Sequence, residues 1–285
     1  MIISLHVADV GARAVPALLR ERLHPDDVPG LRSARTTLAG AIAAGLPKLH
    51  PGRVALLASW EDDAALDGFL RVEKNPLAER LAGGWHVRLR PIRMSGSWSA
   101  MPVEVAPGTA TDDDQDYGDH EDGKEEYGKQ EFGEQEYREQ GSHGQDVHRR
   151  ESDERHVGVA AGATATPVAV LTLGQLRLRR ALPFLRANSR AAGRAAADPA
   201  LFASLALARP PRFVSTFSIW QSVDAMRRYA YGSAQPDHKA AIQAHQAAPF
   251  HHEAGFVRCL PYAAQGTLDG RDPLATAGSP AATEV

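Results

Sequence analysis

The chain repeats itself, and that repetition constrains the fold more than any single motif. "VALLASW" (Val54 to Trp60) precedes a run beginning "EDDAALDGFL", and "VSTFSIW" (Val214 to Trp220) precedes one beginning "QSVDAMRRYA". Further on, "VRLRPIRMSGSW" (Val87 to Trp98) and "VRCLPYAAQGTL" (Val257 to Leu268) align without a gap and share Val, Arg, Pro and Gly in register. Two copies of one supersecondary unit explain this economically. Each half reads as strand, helix, strand, helix, strand from its hydrophobic period and boundary residues. In the second half the strands are "VAVLTLGQL", "RFVSTFSIW" and "GFVRCLPY". The stretch from Arg179 to Ala208 reads as helical material interrupted near Gly193 and Pro199, with Pro183 tolerated only in a first turn or at a kink. Ser222 is a candidate N-cap for the next helix.

This order, repeated, predicts an α+β protein of two tandem ferredoxin-like modules forming an intramolecular dimeric α/β-barrel-like pair. Packing the two sheets face to face would leave a cavity between sheet and helices suited to an apolar ligand. The expected boundaries are module 1 at 1–107, an acidic linker at 108–165, module 2 at 166–274 and a disordered tail at 275–285. The linker stands out by charge: Asp112 to Arg155 holds 17 acids and 6 bases, a net of −11 in a chain whose total is −3. Its aromatics Tyr127, Phe132 and Tyr137 recur every five residues, a period that serves neither a helix nor a strand. With few aliphatics to bury, the segment is expected to be disordered.

Charge and cysteine usage narrow the function. Outside the acidic run the chain nets +8, mildly basic and short of a nucleic-acid binder, though compatible with an acidic electron donor or an anionic membrane surface. Cys259 is the one cysteine, which excludes an intrachain disulfide, a cysteine zinc cage and a cysteine-ligated iron–sulfur cluster. The start, "MIISLHVADVGARAV", reads as a strand rather than a signal peptide, and the uncharged stretch Val157 to Leu176 is diluted by Gly, Thr and Pro. The expected location is the cytoplasm, with peripheral association at the inner face of the membrane left open. Walker-type, GxGxxG, GxSxG and HExxH motifs are absent, which weakens nucleotide-dependent, serine-hydrolase and zincin readings.

Two histidine groups are candidates for chemistry. Asp237 is placed to cap a helix on which His238, Ile242 and His245 share one face. Two turns separate the histidines by roughly 10.5 Å of rise, too far for one small ion. One of them could ligate a haem iron while the other touches a propionate, or both are helix-start and packing residues. In "PFHHEAGFVR", His251, His252 and Glu253 are contiguous, and in an extended chain they point to alternate faces, so a metal triad from these three is improbable. They read as a polar turn entering a strand, with one residue lining a pocket. Trp60 and Trp220 occupy equivalent strand ends, and "GSW" and "GTLDG" turn the chain after each last strand. Arg177, Arg179, Arg180, Arg186, Arg190 and Arg194 form a cationic flank, either a solvated face or a surface for haem propionates or an acidic redox partner.

These stretches resemble the spheroidene monooxygenase family of carotenoid-modifying oxygenases. The resemblance rests on "PVAVLTLGQLRLRRALPFL", "FVSTFSIWQSVDAMRRYAY" followed by His238, "PFHHEAGFVR" and "GTLDGRDPL", with "ALLASW" and "GSW" in the first half. The resemblance implies a haem-dependent monooxygenase that uses dioxygen and electrons from an external donor, expected to be a ferredoxin, to oxidise a carotenoid or related apolar molecule. It implies His238 as axial metal ligand, Phe217, Trp220, Tyr229 and Tyr231 at pocket or packing positions, and Glu253 at an acidic position; the residue reading adds His245 and Arg180 around the cofactor and His252 beside Glu253 as a catalytic candidate. A cofactorless monooxygenase or isomerase using His245, His251 or Glu253, and a non-catalytic protein that binds apolar ligands, remain the other readings.

Overall fold

Backbone pairing joins the two halves into one closed sheet. The computed structural model describes residues 1–42, 48–71, 76–101, 103–105, 166–231 and 249–275, with backbone alone at 187–192, 194 and 231. All of the acidic linker at 108–165 and all of the tail but Ala275 therefore lie outside the described residues, as does the helix expected around His238 and His245. The first half runs β1 (Ile2–Asp9), α1 (Val15–Arg20), β2 (Leu31–Ala41), β3 (Lys48–Trp60), α2 (Asp63–Arg71), α3 (Pro76–Leu81) and β4 (Trp85–Gly96). The second runs β5 (Val168–Leu176), a 3-10 turn (Leu178–Arg180), α4 (Ala181–Ala196), β6 (Leu201–Arg209), β7 (Phe213–Trp220), α5 (Val223–Tyr231) and β8 (His251–Gln265).

The strands form a closed barrel in the order β1-β3-β2-β6-β7-β5-β8-β4, with β4 returning to β1. Within each half the order is fourth, first, third, second, the ferredoxin-like arrangement, and every pair is antiparallel. The predicted fold class holds. The modules meet edge to edge, through β2–β6 and β4–β8, rather than face to face. Among the described residues closure pairs each strand on both sides, though β2 and β6 meet over three residues only, and the two modules become one compact unit.

Each half also has a strand that sequence reading did not assign. "LFASLALAR" is rich in good helix formers, yet it is β6, laddered to β7 along its length and to β2 at one end. Propensity gives way here to a place between two strands. Upstream, α4 passes through Gly193 without a break and stops at Ala196, ahead of a turn in which Asp198 accepts from the Ala200 amide (2.9 Å). Pro183 falls in the helix's first turn, where its missing N–H costs nothing.

The repeat is legible atom by atom. Ile2, Trp60 and Leu31 stand side by side across β1, β3 and β2, and so do Val168, Trp220 and Leu201 across β5, β7 and β6. Trp60 packs on Phe69 (5.2 Å between centroids) and Trp220 on Tyr229 (4.9 Å). Asp62 caps α2 through the Ala65 amide (2.9 Å), and Ser222 caps α5 through the Ala225 amide (3.1 Å). At the β4–β8 seam the pairs Val87 with Ala264 and Met94 with Val257 are images of each other. Gly96 and Gly266 end the two strands with φ of +75° and +80°; a Cβ on either would strike a carbonyl oxygen, of Ala254 or of Gly84 respectively.

Alternation divides the side chains into layers. Ile3, Leu5 and Val7 of β1, Ala55 and Leu57 of β3, Leu171 and Leu173 of β5, and Phe217 and Ile219 of β7 fill the barrel. Val54, Leu56, Ala58 and Trp60 face outward under Leu66, Phe69, Leu77 and Leu81 of α2 and α3. Each such large side chain gains about 1.5–3 kcal/mol from burial. The layer between sheet and helices of the first half is thus filled by side chains, where a ligand cavity was expected. The outer layer of the second half is smaller among the described residues, centred on Val168, Trp220 and Met226.

A polar cluster breaks the symmetry. Ser4 and His6 face outward on β1 yet are buried; Ser4 Oγ accepts from Trp60 Nε1 (2.9 Å) and lies 3.1 Å from His6 Nε2. His6 stacks on His86 of β4 at 5.1 Å. Two residues on, Arg88 donates to Asp63 (2.7 Å) and to Asp67 of α2, and Tyr262 of β8 donates to Asp63 as well (2.8 Å). The repeat equivalents of Asp63 and Tyr262 are Val223 and Ile92, which both pack on the Trp220 cluster.

Two outcomes are expected. Gly96→Ala and Gly266→Ala should each lower stability by about 1–3 kcal/mol, read as a shifted urea midpoint, because positive φ and the facing carbonyl penalise the methyl. Burial above all, helped by the charges of His86 and Arg88, pushes His6 from 6.5 down to about 3. Below pH 6.5 the unfolded chain takes up a proton that folded His6 refuses, so stability falls as pH drops from 6.5 towards 3. The slope from this group approaches about 1.4 kcal/mol per pH unit. His6→Leu should flatten the acid limb of a stability-versus-pH curve by that share.

Candidate functional site at one mouth of the barrel

After Gly96 the chain crosses one open end of the barrel as a strap. Ser97 N donates to Ala254 O (3.0 Å), and Trp98 and Met101 then enter the barrel core, 5% and 4% exposed. Farther along, Glu104 pairs with Arg32 of β2 at the rim. The strap, the ends of β5 and β7 and the start of β8 bring together groups distant in sequence. Arg35 of β2 lies with its guanidinium 4.6 Å from the Phe213 ring and 5.9 Å from the Trp98 ring. The rings themselves meet edge to face at 5.8 Å. Burial, with Arg209 nearby, lowers the Arg35 pKa, and the charge of Glu253 acts in the opposite sense. A guanidinium remains protonated under such a shift.

Glu253 is the carboxylate of this mouth. It accepts from the Ser99 amide and from Ser99 Oγ (3.2 Å). Its neighbour in the ladder is Gln175, whose buried Oε1 has no hydrogen-bond partner among the described residues. A shallow cleft lies between Arg35, Trp98, Met101, Leu57, Leu173 and Phe213, with room for a water-sized group. A fixed cation and a nearby carboxylate are a pair that can take a proton and stabilise the anion that results, although the cleft as it stands admits only a water-sized group.

The opposite mouth is closed by the equivalent segment after β8. Leu268 and Leu274 pack against the barrel core there, and Arg53 joins Asp9 (2.9 Å to each carboxylate oxygen) to Asp269 (2.7 Å) across the rim. "GSW" and "GTLDG" therefore do follow the last strands, and they also plug the barrel.

The residues singled out from the sequence are dispersed. His251, His252 and Glu253 are already in β8, with a register shift in its pairing to β5, rather than in a turn before it. His251 packs against Phe184 of α4 at 5.0 Å, and its carbonyl accepts from Arg177 Nε (2.9 Å). His252 is exposed, its Nε2 lying 3.3 Å from Arg212 Nη1. Glu253 alone reaches the mouth. Phe217 is buried inside the barrel, 6.1 Å from the Trp85 ring, whereas Trp220 lies on the outer face, stacked on Tyr229 and donating to Ser218 Oγ (2.9 Å). Arg180 is exposed in the 3-10 turn. His238, His245 and the Tyr231 side chain lie outside the described residues.

Phe217 and Trp220, on opposite faces of one sheet, cannot flank one cofactor, and the interior next to Phe217 is occupied by side chains. The candidate axial ligand lies outside the described residues, and among those described no three of His, Cys, Asp and Glu converge as a metal site. No helix among them is long and apolar enough to cross a membrane.

No family model matches the chain, and no curated protein matches its sequence. Solved structures with similarity include a monooxygenase candidate from Lactobacillus acidophilus NCFM, at 9% identity over 93% of this chain and 95% of that one, with a TM-score of 0.33. Another from Fusobacterium nucleatum shows 7% identity over 93% and 94%, with a TM-score of 0.34. SnoaB, a cofactor-independent oxygenase from Streptomyces nogalater, matches 36% of this chain and 98% of its own at 18% identity, with a TM-score of 0.27.

Arg35, Ser99, Phe213 and Gln175 escaped sequence reading, since they come from separate elements and carry no local pattern. The one available signal was the Trp following Gly96. Because Ser99 is tied to the barrel by Glu253, Glu253→Ala should release the strap. Amide exchange at Ser97 to Met101 is expected to quicken about tenfold, the scale of one charge-assisted bond near the surface, with little change in the barrel strands.

Proposed function

We propose that the protein is an oxygenase-type enzyme acting at the Arg35–Glu253 mouth on a flat, apolar compound with an acidic C–H. The observation that carries this reading is a ring-bound guanidinium lining an apolar cleft at the end of a ferredoxin-like barrel, with the carboxylate of Glu253 near enough for its charge to act on Arg35. Glu253 takes a proton from the substrate carbon, and Arg35 holds the anion. That anion gives its electrons to dioxygen, a C–O bond forms, and the proton returns to the peroxide. Loss of water then leaves a carbonyl, so one oxygen atom ends in product and one in water.

The test is oxygen uptake with anthrone, whose methylene is acidified by its ring carbonyl, in the absence of added cofactor or reductant. Turnover by the wild type and a loss of about 100-fold or more in kcat for Glu253→Gln is the expected result. Uptake that requires haem and a reduced ferredoxin would overturn it.

The carotenoid form of the reading follows from the family resemblance and depends on haem, with His238 as ligand. A carotenoid offers no acidic proton to Glu253, so that form needs the cofactor and external electrons. Its test is independent: a Soret band in protein purified with haem, lost in His238→Ala. A band unchanged in the variant would sink the ligand assignment.

A further inference from the structure

Each mouth of the barrel holds one indole, but the two come from non-equivalent positions. The gap-free repeat that matches β4 to β8 sets Trp85 against Gly255, and Trp98 against Leu268. At the far mouth the indole belongs to Trp85, a residue of β4 paired with Val7 of β1, buried and fixed in the ladder. At the near mouth the strand position is Gly255, and the indole comes from the strap. A Cβ on Gly255 would come within 3.2 Å of the Trp98 Cβ, so the missing side chain on the strand makes room for the strap residue. One plug is part of the wall; the other is attached by the Ser97 and Ser99 hydrogen bonds and by an exposed ion pair at Glu104. Exposed pairs of that kind hold weakly.

Trp98 occupies a slot bounded by Phe213, Leu173, Gly255 and the guanidinium of Arg35. While it does so, Ser99 covers both oxygens of Glu253. We propose that Trp98 is a displaceable plug: a fused-ring aromatic enters by taking the place of the indole beside Arg35, the departing strap uncovers Glu253, and the guanidinium holds the anion that forms, for which an aromatic carboxylate is a stable mimic. This rests on the placement of the working site at this mouth. Exchanging one buried aromatic for another keeps the burial nearly constant, so the strap can leave when the ligand arrives. Arg35 selects for negative charge. The far mouth does not open this way, because its indole cannot leave without breaking β4.

The experiment uses 2-naphthoate and its uncharged analogue 2-naphthamide. Calorimetry should show 2-naphthoate binding to the wild type and binding about tenfold tighter to Trp98→Ala, which no longer has a competitor in the slot. Leu268→Ala, at the far mouth, should match the wild type. Arg35→Met should lose the preference for the anion. In wild-type protein labelled with 5-fluorotryptophan, the Trp98 fluorine resonance, assigned through Trp98→Phe, should move to a solvent-exposed position on adding 2-naphthoate while that of Trp85 stays. This keeps the test open should Trp98→Ala fail to fold. A Trp98 resonance that stays buried at saturation, equal gains in Leu268→Ala and Trp98→Ala, or no binding to any form would each overturn the plug. Oxygen uptake with Trp98 still buried would overturn it while sparing the oxygenase reading; displacement without uptake would support the plug and count against that reading.

Discussion

Everything in this molecule depends on the β4–β8 seam. Two sheets of four strands, each with open edges, are marginal alone and prone to pair with strangers. Joining them at two edges gives a closed barrel whose interior only their combined side chains can fill. The seam sets more than stability. It brings the start of β8, with Glu253, beside the strap that follows β4, with Ser99, so the candidate site exists only because the halves are paired.

How much of this was legible in the sequence depends on whether a feature is local or shared. The duplication, the paired tryptophans, the Ser222 cap and the glycines after each last strand all appear as short patterns, and each stands where the repeat puts it. Leu201 to Arg209 misled because its alanines and leucines favour a helix until two neighbouring strands claim it. "PFHHEAGFVR" drew attention for its imidazoles, and its carboxylate reaches the mouth while the two histidines turn elsewhere. Arg35 could not be found in advance, since its importance comes from the rings of Trp98 and Phe213, 63 and 178 residues away in the chain.

The barrel also shows how a symmetric frame is given one working end. The same strand–glycine–strap unit appears twice, and the exchange of a large for a small residue, Trp85 against Gly255, shifts one indole from wall to strap. The far rim carries an Asp9–Arg53–Asp269 clasp instead, which pushes the Arg53 pKa up and holds Asp9 below its usual range, first through their shared hydrogen bonds.

The contact between Tyr262 and Asp63 bears on the pairing of the halves. It links the last strand of one half to a helix of the other, and its mirror position holds Ile92 and Val223, apolar on both sides. Two copies of the first half, paired as a homodimer, would set Ile92 against Asp63 and deprive that carboxylate of its phenol. Two copies of the second would set Tyr262 against Val223, leaving a hydroxyl over an aliphatic surface. Either mismatch removes this hydrogen bond, although Asp63 would keep the one from Arg88 and both groups reach solvent. The phenol–carboxylate bond therefore forms only between unlike halves, and this contact favours the pairing within one chain over pairing between like copies.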